Sequence, residues 1–340
     1  MDRAEKQTVP LKVAITFNLK RSTSTDDDAE FDDISTISAI EDALKTMGCE
    51  VILCEATEEA IEQLIRNRPD FVFNIAEGIN GRGREAHIPS ILNFLGIPFT
   101  GSDETTMCLT LDKHISKILV SSYGIKTPDF RVIDSLDDLI DIEPTYPMII
   151  KLNSEGSSKG ISNASVVSSE ARLRQEVAEL LGRYNSRLIL EEYIEGREFT
   201  VGILGNRDSI KIFEPMEIIF KDKEFPVYGY EVKKDFKKYV EYTVTPEIEQ
   251  GVTDTLKETA GRIFGIFGCY DMARIDFRVG KDNTVYFIEI NSLPGLAPNY
   301  SDFPMLAGFS GMEYKTLICS ILKTALKRYN IPYHEDEGYN

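Results

Sequence analysis

The sequence predicts an α/β chain, α+β overall, with an N-terminal parallel sheet followed by two mixed lobes. Three observations predict it. The first hundred residues alternate strand and helix patterns, which implies a parallel sheet with crossover helices. Two runs, Arg274-Ile275-Asp276-Phe277-Arg278 and Phe287-Ile288-Glu289-Ile290-Asn291, alternate polar and apolar residues on either side of Asp282-Asn283, the pattern of a hairpin. Between these regions, Leu188 to Ile194 reads as a strand leaving one unit, and Gly196-Arg197-Glu198-Phe199-Thr200 opens the next. The expected units are 1–103, 104–195 and 196–330, with a tail over 331–340. A chain of 340 residues is long enough to give each unit a core.

Composition narrows the class. The net charge of -18 argues against a nucleic-acid or anionic-membrane surface, so neither is expected as a partner. The five cysteines are scattered, form no metal-type pair and read as reduced, buried and cytosolic. The three histidines, His87, His114 and His334, are too far apart to suggest a zinc site. Met1-Asp2-Arg3-Ala4-Glu5-Lys6 lacks the apolar core of a signal peptide, and no uncharged apolar stretch approaches membrane-spanning length. The expected location is the cytoplasm.

In order, Lys12 to Phe17 reads as a buried strand, followed by a polar loop from Arg21 to Asp28. Ile34 to Met47 carries apolar residues at helical spacing and stops at Gly48, a C-cap residue. Val51 to Cys54, Glu58 to Asn67 and Phe71 to Asn74 read as strand, helix and strand. Asn80-Gly81-Arg82-Gly83-Arg84-Glu85 then leads into a helix from Ala86 to Leu95. Such a turn can hold an anion on free amides, or can use glycine only for its backbone angles. Asp103 to Tyr123 reads as one helix carrying Lys113, by default a surface lysine.

Pro147-Met148-Ile149-Ile150-Lys151 is an apolar strand ending in lysine, and it runs into Asn153-Ser154-Glu155-Gly156-Ser157-Ser158-Lys159-Gly160. Small residues let backbone amides wrap a phosphate, and Lys151 adds a point charge. The pattern is not a Walker loop, and a plain β-turn is the other reading. A helix from Glu170 to Gly182 follows. The strand bridging two units, with Glu191 and Glu198 beside it, suits a flat ligand slotted between sheets; two solvated acids at a strand edge is the alternative. Lys221 to Tyr242 reads as a long charged and aromatic loop, either a lid or plainly solvated. Helices are expected from Pro246 to Phe267 and from Gly311 to Tyr329.

Folding the hairpin at Asp282-Asn283 sets Asp276 opposite Glu289 and Arg274 opposite Asn291, all on one face. Ile275, Phe277, Ile288 and Ile290 then fill the core face. Facing carboxylates repel, and a divalent cation would remove that penalty. Asp276, Glu289 and Asn291 offer only oxygen, the ligand set of magnesium or manganese. A solvated face neutralised by Arg274 and Arg278 is the competing reading.

The order of these motifs resembles the ATP-grasp fold and, within it, the D-alanine–D-alanine ligase family, from about Lys12 to Leu326. Leu95-Gly96-Ile97-Pro98-Phe99-Thr100-Gly101-Ser102, Leu111-Asp112-Lys113 and Leu293-Pro294-Gly295-Leu296 are written as that family writes them. The resemblance implies three domains, with ATP clamped between the second and third and two amino-acid-like substrates beside the first. It implies that Lys113 and Lys151 hold ATP phosphates under a loop of Gly156, Ser157 and Ser158. Glu191 and the backbone of Glu192 and Ile194 would read adenine, and Glu198 the ribose. Asp276, Glu289 and Asn291 would bind two magnesium ions. Arg274 and the Gly295 amide would hold the oxyanion, with Ser157 at the reacting centre and Lys233 reaching in from the lid. Ser301, Tyr300 and Glu85 would meet the substrates. Relatives also imply a homodimer through the N-terminal half.

Four departures fall on the amino-acid sites. Phe31 stands where the family places the glutamate that binds the first ammonium, with Glu30 and Asp32 beside it as substitutes. Asn80 replaces a histidine, Lys234 replaces the lid tyrosine, and Pro298-Asn299-Tyr300 is one residue longer than the pattern. The reading is therefore an ATP-dependent carboxylate–amine ligase joining two amino acids, or an amino acid and a small acid, with dialanine not its best product. A secondary-metabolite ligase of the mycosporine type on the same fold and a non-catalytic nucleotide-binding protein are the alternatives.

Overall fold

The computed structural model describes residues 10–21, 28, 30–140, 142–156, 165–221, 236–244 and 248–333. Strands β1 (Lys12–Phe17), β2 (Glu50–Glu55) and β3 (Phe71–Asn74) form a parallel sheet in the order β2-β1-β3. Helices α1 (Ile34–Thr46) and α2 (Ala60–Asn67) make the crossovers. Asp33 starts α1 by accepting the Ser35 and Thr36 amides, and Gly48, at φ 72°, follows its end. The expected strand-helix alternation is thus the observed one.

Helix α3 (His87–Leu95) leads to α4 (Glu104–Leu111) and α5 (Lys113–Ser122). The single helix expected over Asp103 to Tyr123 is therefore two. Asp112 is extended (φ -85°, ψ 100°), and its carboxylate accepts the Ile115 amide at 3.0 Å, so it ends one helix and caps the next.

Strands β4 (Phe130–Ile133), β5 (Met148–Leu152), β6 (Val166–Val167) and β7 (Leu188–Glu192) form an antiparallel sheet ordered β4-β7-β5-β6. Helix α6 (Glu170–Tyr184) packs on it, giving a self-contained core that includes Ile150, Val177 and Leu190.

The third sheet runs β11-β10-β8-β12-β13, with β9 (Lys211–Ile212) on β8. Its strands are β8 (Gly196–Leu204), β10 (Met216–Phe220), β11 (Val240–Thr243), β12 (Met272–Gly280) and β13 (Val285–Asn291). The long loop expected over Lys221 to Tyr242 is shorter than that, because α7 (Phe236–Tyr239) and β11 occupy its end and β11 pairs with β10. Helix α8 (Gln250–Ile266) covers this sheet, and α9 (Asp302–Phe309) and α10 (Tyr314–Arg328) close the chain.

The hairpin has the expected register, with Arg274 opposite Asn291 and Asp276 opposite Glu289. One core assignment needs correction. Beyond Asp276 the register shifts, pairing Phe277 with Phe287, so Ile288 is the extra residue of a bulge. Phe287 takes the fully buried position with Ile275, Phe277 and Ile290, while Ile288 is half-buried.

The first and third sheets share a core. Leu317, Ile321 and Leu322 of α10 pack in one cluster with Val13, Ile40 and Phe71. Arg328 donates to the carbonyls of Phe99 (2.8 Å) and Gly101 (3.1 Å) and to Asp271 (2.8 Å). Among the described residues no helix is long and apolar enough to cross a membrane.

Candidate active site

The polar face of the hairpin is closely paired. Arg274 forks onto Asp276, Nε to Oδ1 at 3.0 Å and Nη2 to Oδ2 at 2.8 Å, and its Nη1 lies 3.4 Å from Asp302. Thr200, opposite Asp276 on β8, donates its hydroxyl to the same carboxylate at 2.7 Å, and Asn291 Nδ2 approaches it at 3.4 Å. Glu289 meets Lys113 at 3.3 Å. Burial disfavours both charges, but the two acids separate. Burial, with Glu289 adding to it, raises Asp276 above the usual carboxylate range in spite of Arg274. For Glu289 burial is outweighed by Lys113, Lys151 and Arg274, which bring it down to about 2.

Lys113 is no surface lysine. It is buried at the start of α5, and its ammonium also donates to the Glu155 carbonyl at 2.5 Å, joining the loop after β5 to the hairpin. Lys151 donates to Glu191 Oε2 at 2.9 Å. On the other side Glu191 Oε1 lies 3.2 Å from Lys117, a fully buried lysine that also donates to Thr127 at 2.9 Å. Burial lowers Lys117 to about 8 against the pull of Glu191, whereas Glu191 is held below its ordinary value because the two lysines outweigh its burial. Sequence reasoning missed Lys117. The available signal was its position four residues after Lys113, on the same face of one helix.

Arg278 brackets the other nucleotide candidates, donating to the Ile194 carbonyl at 2.7 Å and to Glu198 at 3.1 Å. The Glu192 side chain faces away, into a separate hollow lined also by His114 and Phe130. The Gly81-Arg82-Gly83 turn uses its own groups, since the Arg84 and Ala86 amides donate to the Gly81 and Gly83 carbonyls. Arg82 pairs with Asp112 at 2.6 Å.

A cavity of about 110 Å³ gathers much of the predicted set. Glu85, Lys113, Gly156, Arg274, Glu289, Asn291, Gly295, Tyr300 and Ser301 all line it. Lys151, Glu191, Glu192, Ile194, Glu198 and Asp276 are not in its wall. A Cβ on Gly295 would lie 2.9 Å from Ser301 Oγ, so the turn and that hydroxyl are in close contact. Ser301 in turn accepts the Ala297 amide at 3.2 Å. Ser157, Ser158 and Lys233, with Lys234, lie outside the described residues. Glu30, a candidate substitute for the missing glutamate, accepts the Gly156 amide and pairs with Arg84, which also donates to the Ser154 carbonyl at 2.6 Å.

The donor set suits a hard cation. Asp276 and Glu289 present carboxylate oxygens from neighbouring strands, their charges met here by Arg274 and Lys113, and Asn291, whose nitrogen now faces Asp276, has an amide oxygen to add. Among the described residues no group of three His, Cys, Asp or Glu is placed to hold a metal, so any ion here relies on Asn291 as well as the two acids.

A parallel sheet followed by two mixed lobes, with paired lysines facing an acidic hairpin, defines the ATP-grasp class. The D-alanine–D-alanine ligase of Bacillus anthracis, solved with ATP, superposes with a TM-score of 0.72 over 94% of this chain and 99% of that one, at 22% identity. The VanG D-Ala:D-Ser ligase of Enterococcus faecalis gives 0.72 over 93% and 100%, at 21% identity. At such identities the likeness establishes the fold. In sequence, the chain is 35% identical to the D-alanine–D-alanine ligase of Aquifex aeolicus, over 85% of this chain and 94% of that protein. It is 33% identical to the uncharacterized protein y4sG of Sinorhizobium fredii, over 84% and 86%. The family model for the D-ala D-ala ligase C-terminus matches residues 119–323. The chain belongs to the D-alanine–D-alanine ligase family and is an ATP-dependent ligase that joins a carboxylate to an amine.

Proposed function

We propose that the enzyme activates the carboxylate of one amino acid or small acid with the γ-phosphoryl group of ATP, then joins it to the amine of a second amino acid. A carboxylate oxygen attacks the γ-phosphorus, the bond to the β-phosphate oxygen breaks, and ADP leaves. The amine then attacks the acyl carbon, the carbon–oxygen bond to phosphate breaks, and the nitrogen loses a proton. The first step needs cations around a transferring phosphoryl group rather than a protein nucleophile, and Lys113 and Lys151 serve that need, with Ser157 and Ser158 as the loop's contribution and Lys233 as the lid's. In the second step Arg274 and the Gly295 amide receive the oxyanion. Glu191, Glu192, Ile194 and Glu198 are the proposed nucleotide contacts, and Glu85, Tyr300 and Ser301 the proposed substrate contacts.

Two magnesium ions, or manganese, would be held by Asp276, Glu289 and Asn291 and would neutralise charge on the phosphates. The units 1–103, 104–195 and 196–330 act as the three domains, the enzyme works as a homodimer, and its free cysteines suit the cytoplasm. The observation that carries the reading is Arg274, Glu289 and Lys113 meeting on one cavity wall, with Asp276 in the fork of Arg274. D-alanine, named for the relatives, is the first compound to test, and the change at Phe31 supports a different preferred substrate. The test is ADP release from Mg-ATP with D-alanine alone, then with a panel of D- and L-amino acids. Turnover with at least one is expected, and Asp276→Ala should abolish it. Silence with every amine, or an Asp276→Ala variant of normal rate, would refute the reading.

A further inference from the structure

The cavity is polarised. One wall is built from the third unit and α5, with Arg274 and Lys113 set beside Glu289, Asp302 and the Gly295 turn. The other wall, from the N-terminal unit, presents Asp32, Glu77 and Glu85. Glu85 is only 9% exposed and, among the described residues, has no hydrogen bond or ion pair, yet it lines the cavity. Its side chain is buried up to the carboxyl group, which opens only onto the cavity and so is placed to meet whatever enters it. Arg84 and Lys113 are close enough to pull on it, but each is bonded elsewhere, Arg84 to Glu30, Glu155 and the Ser154 carbonyl, and Lys113 to Glu289 and the Glu155 carbonyl.

The local fold crowds these acids. Gly78, at φ 78°, lets the turn after Glu77 press on the turn that carries Glu85, since a Cβ there would meet the Arg84 carbonyl oxygen at 2.2 Å. The Gly78 amide is tied to Asn18 at 2.8 Å. Burial, then Glu85, Glu30 and Asp32, all push Glu77 well above its ordinary value, and burial with Glu30 pushes Glu85 up to about 8. Protons therefore occupy this end of the cavity near neutral pH when nothing else does.

A zwitterion fits along the cavity with its carboxylate toward Arg274 and its ammonium toward the acids. Asp32, Glu77 and Glu85 make three carboxyl groups with no bond among the described residues, and one ammonium meets only one of them, which leaves two. From this polarity we infer that the substrate lying against the N-terminal unit carries a second cationic group beside its α-ammonium: a short diamino acid, received by Glu85, Glu77 and Asp32. The assignment of which carboxylate reacts rests on the ligase reading above, but the charge preference does not.

Binding tests the charge preference separately from turnover. The full-length enzyme with a non-hydrolysable ATP analogue and magnesium is titrated calorimetrically with 2,3-diaminopropionate and its near-isostere 2-aminobutyrate, in both enantiomers. For one enantiomer the diamino acid should bind at least tenfold more tightly, a ratio set by a single exchange of methyl for ammonium. Glu85→Gln should bring that ratio close to one, whatever it does to absolute affinity. Equal or tighter binding of 2-aminobutyrate to the wild type would overturn the inference, and so would an unchanged ratio in Glu85→Gln. ADP release measured on the same compounds reads the ligase activity. Release with D-alanine and no diamino preference leaves the ligase reading intact and removes this one.

Discussion

Glu85 holds a proton that the unfolded chain has already lost between the ordinary carboxylate value of 4.5 and about 8. The native state then binds more protons than the unfolded state, so this group's contribution to stability falls as pH rises through that window. Asp32, raised to about 7 by burial and Asp33, and Glu77 act in the same direction. Thermal midpoints followed from about pH 5 to about pH 8 should decline in the wild type more steeply than in Glu85→Gln, by up to about one proton of slope. A wild-type slope no steeper than the variant's would contradict this. Lys117 gives a second test at this scale. Lys117→Met leaves Glu191 paired with Lys151 but with Oε1 unmet, and should cost about 1–2 kcal/mol in denaturant unfolding. The hairpin acids and Lys151 were legible in the sequence because their spacing along strands fixes which face they share. Lys117 was not, because only its neighbours across three elements distinguish it from a surface lysine.

Elements divide in the same way. The register of β12 on β13 followed from alternation and a turn dipeptide, but the bulge at Ile288 did not, since an extra residue leaves the polar pattern on Asp276 and Glu289 untouched. The break at Asp112 was missed because apolar spacing runs across it, and only the carboxylate's bond to the Ile115 amide shows where one helix stops. Strand pairing elsewhere depends on bare backbone. A Cβ on Gly196 would stand 2.0 Å from the Val279 carbonyl oxygen on β12. Gly196→Ala should therefore destabilise the protein by about 2 kcal/mol or more, through separation of β8 from β12. Chemical denaturation measures it, and a change within about 0.5 kcal/mol, the range of an indifferent surface substitution, would show that the strands part freely.

At the scale of the molecule, three sheets and their order were legible, but the union of first and third was not. It depends on α10 reaching back across the chain, and amphipathic spacing says that a helix has a core face without saying whose core. Arg328 secures that union at Asp271, which is fully buried and also accepts from Asn206 at 2.7 Å. Arg328→Ala should cost about 3 kcal/mol by leaving that carboxylate without its cation. Hydrogen exchange should then quicken at 99–101 and at 205–206 together, and quickening at one alone would mean that Arg328 joins nothing.

That shared core has a mechanical consequence. Since the N-terminal sheet is joined to the third sheet through α10, and the four-stranded sheet keeps a core of its own, the two apolar bodies are stitched together by polar contacts such as Lys113 to the Glu155 carbonyl and Arg84 to the Ser154 carbonyl. A nucleotide lodged between the second and third sheets, as proposed above, would load those polar contacts ahead of either core. The acidic residues belong to the larger of the two bodies and the loop after β5 to the smaller, so the cavity lies on the seam between them.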